Sequence, residues 1–257
     1  MQHPVVSREE WLIARKQLLA REKAFTRMRD ELTTERMALP WVKVDKTYVF
    51  EGPNGPETLS DLFDGRSQLV VKHFMFGPDW TEGCVGCSFE IDQISGALVH
   101  LEHHDVTYVA VARAPFAKLD AYRRRMAWSM KFVSSHGTDF NYDFHVSFRP
   151  EELAKGEAYY NYDMRPIGID EMSGRSVFYQ DEGGNIFHTY SSFARGGEIN
   201  LNAYAVLDVT PKGRNETING NLTDWVRHHD RYKSEGFVDP NGRFVAGEEA
   251  DGCCHNP

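Results

Sequence analysis

The 257 residues carry 29 Lys and Arg against 38 Asp and Glu, a formal net charge of −9; 41% are hydrophobic and 12% aromatic. That apolar share can fill a core, and the acidic balance supplies no basic face for neutralising phosphates, which excludes a general nucleic-acid binder. No stretch approaches about eighteen uninterrupted apolar residues, and Met1-Gln2-His3-Pro4 leads into a charged amphipathic segment, so neither a membrane span nor a secretory signal is expected and the cytoplasm is the default compartment.

Ser7 with Glu10 has the form of a capping box, and Trp11, Leu18, Phe25 and Leu32 then recur every seven residues with Ala14 and Met28 between them. One long helix to about Arg36 is predicted, packed on the body or on a second subunit. Pro40 and Trp41 end it. Trp41 to Val44 and Tyr48 to Phe50 suggest one or two short strands before the turn Gly52-Pro53-Asn54-Gly55-Pro56. Leu59, Leu62 and Phe63 form one helical turn closed by Asp64-Gly65. The run Leu69 to Phe76 is too short for a membrane span and rich in β-branched and aromatic residues, so it reads as a buried strand stopped by Gly77-Pro78.

After it comes Cys84-Val85-Gly86-Cys87, followed by Ile91, Ile94, Leu98 and Leu101 at three- and four-residue steps. These predict a helix over about 84–103 with the two cysteines at its N-terminus. An apolar strand at Val106 to Ala112, a helix over 116–128 and a strand at Lys131 to Ser135 follow, and strand-helix-strand at this spacing implies parallel pairing. Residues 137–173 read as an insertion. Ser176 to Gln180 and Ile186 to Phe193 form a hairpin with a five-residue loop, so Gly183-Gly184 is a turn and not a phosphate loop. Helices are predicted at about 199–207 and 222–234.

The cysteine pair carries the chemistry. Unpaired N–H groups and the dipole at a helix N-terminus favour a negative sulfur, and the thiolate is the nucleophile. Cys84 is the more exposed and acidic sulfur in this reading, and Cys87, one turn in, attacks a mixed disulfide on Cys84 and releases the product. Asp79, Glu82 and Glu90 oppose a low thiol pKa, which predicts a moderate thiolate. A zinc site is the competing use of C-x-x-C, but the other cysteines, Cys253 and Cys254, are adjacent, beside His255 in the C-terminal tail, and make poor chelate geometry. No metal and no cofactor are expected.

Leu39-Pro40-Trp41-Val42, Gly65-Arg66-Ser67-Gln68-Leu69, His73-Phe74-Met75-Phe76-Gly77-Pro78-Asp79-Trp80, the following Cys84 to Cys87, and Thr189-Tyr190-Ser191 with Ala194-Arg195-Gly196 resemble a bacterial family of thioredoxin-like proteins of unknown function, often labelled predicted dithiol-disulfide oxidoreductases. The resemblance spans nearly the whole chain. It implies an α/β thioredoxin-like fold with a mixed central sheet, a peroxiredoxin-type N-terminal hairpin, the long N-terminal helix and the insertion before the last hairpin. The organisation expected is a helical extension over 1–40, a thioredoxin-like domain over 41–236 with its insertion at about 137–173, and a mobile tail over 237–257. The function expected is thiol-disulfide exchange through Cys84 and Cys87, supported by Trp80 and Thr81, on a protein disulfide or a small thiol or peroxide substrate, with a homo-oligomer as a possible assembly. Two features depart from thioredoxins: no proline stands at the strand entrance Met172 to Ser176, and Trp80 lies four residues before Cys84 instead of next to it.

Other constellations are weaker. Pro78, Thr81 and Cys84 nearly reproduce the peroxiredoxin grouping, one residue short in spacing. In that alternative Thr81 binds peroxide, Cys84 passes through a sulfenic acid, and Arg113, Arg175 or Arg195 stands at the sulfur. A non-catalytic binding module is the third class. His100, His103 and His104 sit at a helix end, where histidine is favoured without any metal, and His228, His229 and Asp230 are discounted in the same way. Tyr159, Tyr160 and Tyr162 with Tyr142 and Phe144 either line a groove or anchor the insertion, and Asp163 and Arg165 read as a surface pair.

Overall fold

The computed structural model describes residues 3–216, 225–233, 236–239 and 242–246. Its contacts divide the chain into two compact units, Met1–Trp41 and Val42–Pro257. The first is helix α1, Arg8–Met37, opened by the capping box: Ser7 Oγ accepts from Glu10 N–H while the Glu10 carboxylate accepts from Ser7 N–H. No residue of α1 is buried, and Trp11, Leu18, Phe25 and Leu32 lie exposed along it.

The second unit begins with β1 (Val42–Lys43) and the hairpin β2 (Val49–Gly52) and β3 (Gly55–Thr58), then a 3-10 turn at Asp61–Phe63 and β4 (Gln68–His73). The helix expected over about 84–103 is two, α2 (Val85–Ile94) and α3 (Leu98–His103), parted by a 3-10 turn at Ser95–Ala97. Ser95 Oγ donates to the Ile91 carbonyl at 2.8 Å, in competition with the helical ladder, and Gly96 follows it. Next come β5 (Val106–Ala112), α4 (Phe116–Arg125) and β6 (Lys131–Ser134). The insertion holds α5 (Phe140–Asp143), α6 (Pro150–Leu153) and the two-stranded sheet β7 (Glu157–Tyr160) and β8 (Asp163–Pro166). The chain returns through β9 (Gly174–Gln180), β10 (Ile186–Phe193), a 3-10 stretch at Ala194–Asn200 and α7 (Asn202–Leu207).

The central sheet runs β1-β10-β9-β4-β5-β6-β2-β3. β4, β5 and β6 are parallel, β9 is antiparallel to β4, and β10 to β9. A parallel strand-helix-strand unit joined to an antiparallel hairpin across one mixed sheet is the thioredoxin-like arrangement the sequence implies, with the added hairpin β2–β3 on the far edge. Alternation along β4 assigns its two faces. Leu69 and Val71 join Phe50, Phe63, Val109 and Phe140 on one side, and Phe74 joins Cys87, Ile91, Leu119 and Tyr122 on the other. Lys72, two residues before Phe74, points to that second side, where it meets Glu90 of α2.

Tyr160 anchors the insertion: it is buried against Phe193, donates to the Ser173 carbonyl at 2.8 Å and accepts from Ala194 N–H at 3.0 Å. Tyr159 and Tyr162 are exposed and, with Phe144, line a cavity of about 260 Å³. Asp163 accepts from Met164 N–H.

The helix expected at 222–234 is a correction. Residues 217–224 lie outside the described set, 225–228 are irregular, and only a 3-10 turn forms at His229–Arg231. Its charges are held by distant partners instead of by helix neighbours: Asp230 pairs with Arg125 at 2.8 Å and Arg231 with Glu82 at 3.1 Å. Residues placed by sequence in a tail form the hairpin β11 (Gly236–Val238) and β12 (Phe244–Ala246). Cys253, Cys254 and His255 lie outside the described residues. No helix of the described residues is long and apolar enough to cross a membrane.

Candidate active site

Cys84 is the N-cap of α2, with φ −55° and ψ 133°, and Cys87 lies in the first turn. An N-cap side chain stands over the first free N–H groups of the helix, the place where Ser or Asp oxygens usually sit. The backbone fixes the position from both sides: Cys84 N–H donates to the Met75 carbonyl beyond β4, at 2.9 Å, and Cys84 C=O accepts from Ser88 N–H at 3.0 Å. The loop before it is tied down by Lys118, whose ammonium donates to the carbonyls of Pro78 and Trp80.

The two thiols are unbridged and near enough to act on each other. Both are buried, Cys84 at 7% exposure and Cys87 at 3%. Their acidities part in opposite directions. The Cys87 thiol donating to Cys84 is the largest influence on Cys84 and brings it down to about 7 against the upward push of burial; the N–H groups of Cys87 and Gly86 assist without forming a full capping bond. Cys87 is driven up by the same hydrogen bond, by burial and by the charge on Cys84. When the pair loses its first proton, these influences favour the charge on Cys84 and the remaining proton on Cys87.

Beneath the pair lies an ion pair that the sequence reading passed over. Lys72 Nζ and Glu90 Oε2 are 2.5 Å apart and both residues are buried. Burial works against the Lys72 ammonium, but the charge and hydrogen bond of Glu90 outweigh it and hold its pKa above the ordinary lysine value. Glu90, which burial alone would raise, is kept low by Lys72 and by hydrogen bonds from Lys72 and Asn200 at 3.0 Å. Lys72 thus lowers both thiols, while Glu90 is neutralised by its partner. Glu82 is neutralised as well, bonded to Arg125 at 2.6 Å and Arg231 at 3.1 Å, and Asp79 is exposed. The acids expected to raise the thiol pKa are, in this arrangement, largely spent on cations. The signal for Lys72 was present in the sequence: a charge inside an apolar strand must find a partner.

Trp80 is buried, with Nε1 3.3 Å from Asp170 Oδ1, whereas Thr81 is exposed. Arg113 is held by Glu171, Asp170 and Tyr142, Arg175 reaches Ser192 Oγ at 3.3 Å, and exposed Arg195 pairs with Glu198. His100, His103 and His104 are exposed at the end of α3. His228 is buried and bonded to the Gly83 carbonyl at 3.0 Å, next to Cys84 in sequence. Among the described residues, no group of three or more His, Cys, Asp or Glu is arranged to hold a metal ion.

A cavity of about 180 Å³ is lined by both cysteines. Gly242, ahead of β12, packs on Cys84: its carbonyl accepts from Val85 N–H at 2.9 Å, and a Cβ at Gly242, whose φ is +78°, would stand 2.9 Å from Cys84 Sγ. Arg243 lies over the Trp80 ring at 4.1 Å. Only glycine meets both demands, and nothing local in the sequence announces it.

Residues 1–232 match the family described as "Bacterial protein of unknown function (DUF899)". The chain belongs to this family. No curated protein matches this DUF899 member. Among solved structures it is similar to the peroxidoxin BcpB from Mycobacterium tuberculosis, at 13% identity over 64% of this chain and 97% of that one, with a TM-score of 0.40. It is similar also to a PrxQ variant from Xylella fastidiosa, at 16% identity over 62% of this chain and 88% of that one, TM-score 0.39. A mitochondrial 2-Cys peroxiredoxin from Plasmodium falciparum shares 12% identity over 65% and 92% of the two chains, TM-score 0.37.

Proposed function

We propose that this DUF899 protein is a thiol-disulfide oxidoreductase of the cytoplasm, with Cys84 as attacking thiolate and Cys87 as resolving thiol. The observation that carries the reading is the placement of the pair, two free thiols with Cys84 at the helix cap and Cys87 in the first turn, where the inner thiol lowers the pKa of the outer one. A nucleophile with a pKa near the working pH attacks fastest, and its resolving partner must sit within reach. The peroxidase alternative asks for a threonine and an arginine at the sulfur, and here Thr81 is exposed while Arg113, Arg175 and Arg195 are each engaged elsewhere.

The test is a redox titration of the reduced protein in reduced and oxidised dithiothreitol, read by free-thiol count and peptide mass. A reversible couple is expected, with a Cys84–Cys87 bridge, and Cys87→Ser should trap a mixed disulfide on Cys84. A protein that forms no bridge at any ratio, or that still reacts at Cys87 alone after Cys84→Ser, is not this oxidoreductase.

A further inference from the structure

Burial of the two sulfurs bears on what can reach them, and the inference drawn from it rests on the exchange reading above. A disulfide displayed on another protein brings its flanking backbone with it, so attack on it needs an open surface around the sulfur and free main-chain groups to dock on. At the helix cap that surface is partly taken by the chain's own residues. Gly242 is packed on Cys84, its carbonyl occupies Val85 N–H, and Arg243 covers Trp80.

The cavity lined by the two cysteines offers a different approach. Its inner wall is Met75, Cys84, Cys87 and Phe89, all buried, and its rim includes Gly197 and Leu201, both partly exposed. The volume, about 180 Å³, is below the roughly 300 Å³ at the low end for pockets that take drug-sized ligands. The charges along it are balanced within the protein: Lys72 by Glu90, and Glu198 by Arg195 and Arg214. Among the lining residues a charged ligand would find no unspent counter-ion, and it would lose hydration on the way in.

We infer that the substrate of the Cys84/Cys87 pair is a small, uncharged disulfide that reaches the sulfurs through this cavity, and not a disulfide carried on a protein. Cys84 thiolate attacks one sulfur of RSSR; the new S–S bond forms as the old one breaks, and the departing RS⁻ takes a proton from solvent. Cys87 then bonds to Cys84 Sγ, and the second RS⁻ leaves with the proton Cys87 gives up. One disulfide becomes two RSH, two electrons leave the protein, and an external dithiol restores the reduced pair.

The experiment compares second-order rates at which the reduced full-length protein is oxidised by bis(2-hydroxyethyl) disulfide, by oxidised glutathione and by insulin. The uncharged small disulfide should be at least about tenfold faster than either of the others. Insulin or oxidised glutathione at an equal or higher rate overturns the inference, as does failure of all three in a protein that still passes the dithiothreitol titration. Failure of that titration instead removes the exchange reading on which this one stands. A second arm fills the cavity: a Cβ at Gly197 would meet only Glu90 Oε2, at 3.5 Å, so Gly197→Leu has room at the backbone and extends into the opening. It should slow the hydroxyethyl disulfide about tenfold while leaving the pH titration of the Cys84 thiolate in place. An unchanged rate in a folded variant overturns the inference.

Discussion

At Cys84 the decisive neighbour is another side chain. Because the Cys87 thiol is the largest influence bringing Cys84 down to about 7, Cys87→Ala should move the pH midpoint of Cys84 alkylation by iodoacetamide up toward the ordinary thiol value of about 8.5, and Cys87→Ser should move it less. Gly242→Ala makes the opposite kind of change. The new methyl cannot share space with Cys84 Sγ at 2.9 Å and is strained at φ +78°, so the turn must lift, and alkylation of Cys84 should become severalfold faster. The Lys72–Glu90 pair can be dissected by stability. Glu90→Gln leaves a buried ammonium without its counter-charge and should cost about 3–5 kcal/mol in urea unfolding. Lys72→Met with Glu90→Leu should recover most of that loss, while the Cys84 midpoint stays higher than in the unaltered protein, because Lys72 lowers it. At this scale the spacing of Cys84 and Cys87 was legible, and so, with a stricter reading, was Lys72 inside its apolar run. Gly242 was not, because its role arises from a contact made across more than a hundred and fifty residues of chain.

Among the elements, the apolar pattern marked β4, α2, β5, α4, β6 and the β9–β10 hairpin, with β4, β5 and β6 as runs buried on both faces and α4 and β9 as regular faces buried on one side. It failed where side chains bond locally or far away. The break between α2 and α3 comes from Ser95 bonding back to Ile91, and the irregular stretch at 225–228 precedes charges satisfied by Arg125 and Glu82. The break gives a test of its own. Gly96 is exposed, and a Cβ there meets nothing within 4 Å, so Gly96→Ala should add roughly 0.5–1 kcal/mol to the unfolding free energy by reducing the freedom of the unfolded chain. A loss of stability in urea would mean that the junction needs glycine. The insertion was visible only as a region without a pattern, since its order comes from Tyr160 and Phe193 packing together from distant parts of the chain.

For the whole molecule, acid is the condition that should loosen the fold. His73 is buried at 1% exposure against the Phe140 and Phe144 rings and is held to Ser176 Oγ at 2.8 Å. Burial, with help from the charge of Lys72, brings its pKa from 6.5 to about 3. A base with a depressed folded pKa contributes stability that is intact above the unfolded value. Below pH 6.5 the unfolded chain takes up a proton that the native state refuses, so stability declines as pH falls toward 3, by at most about 5 kcal/mol from this group. Urea midpoints measured from pH 7 to pH 4 should show that decline, and His73→Gln should flatten it if the variant folds. The contact of Gly242 with Val85 carries one more consequence. The hydrogen on Val85 nitrogen is a first-turn donor satisfied by a segment from the far end of the chain, so its exchange with heavy water clocks how often that segment lifts away, independently of whether any sulfur reacts.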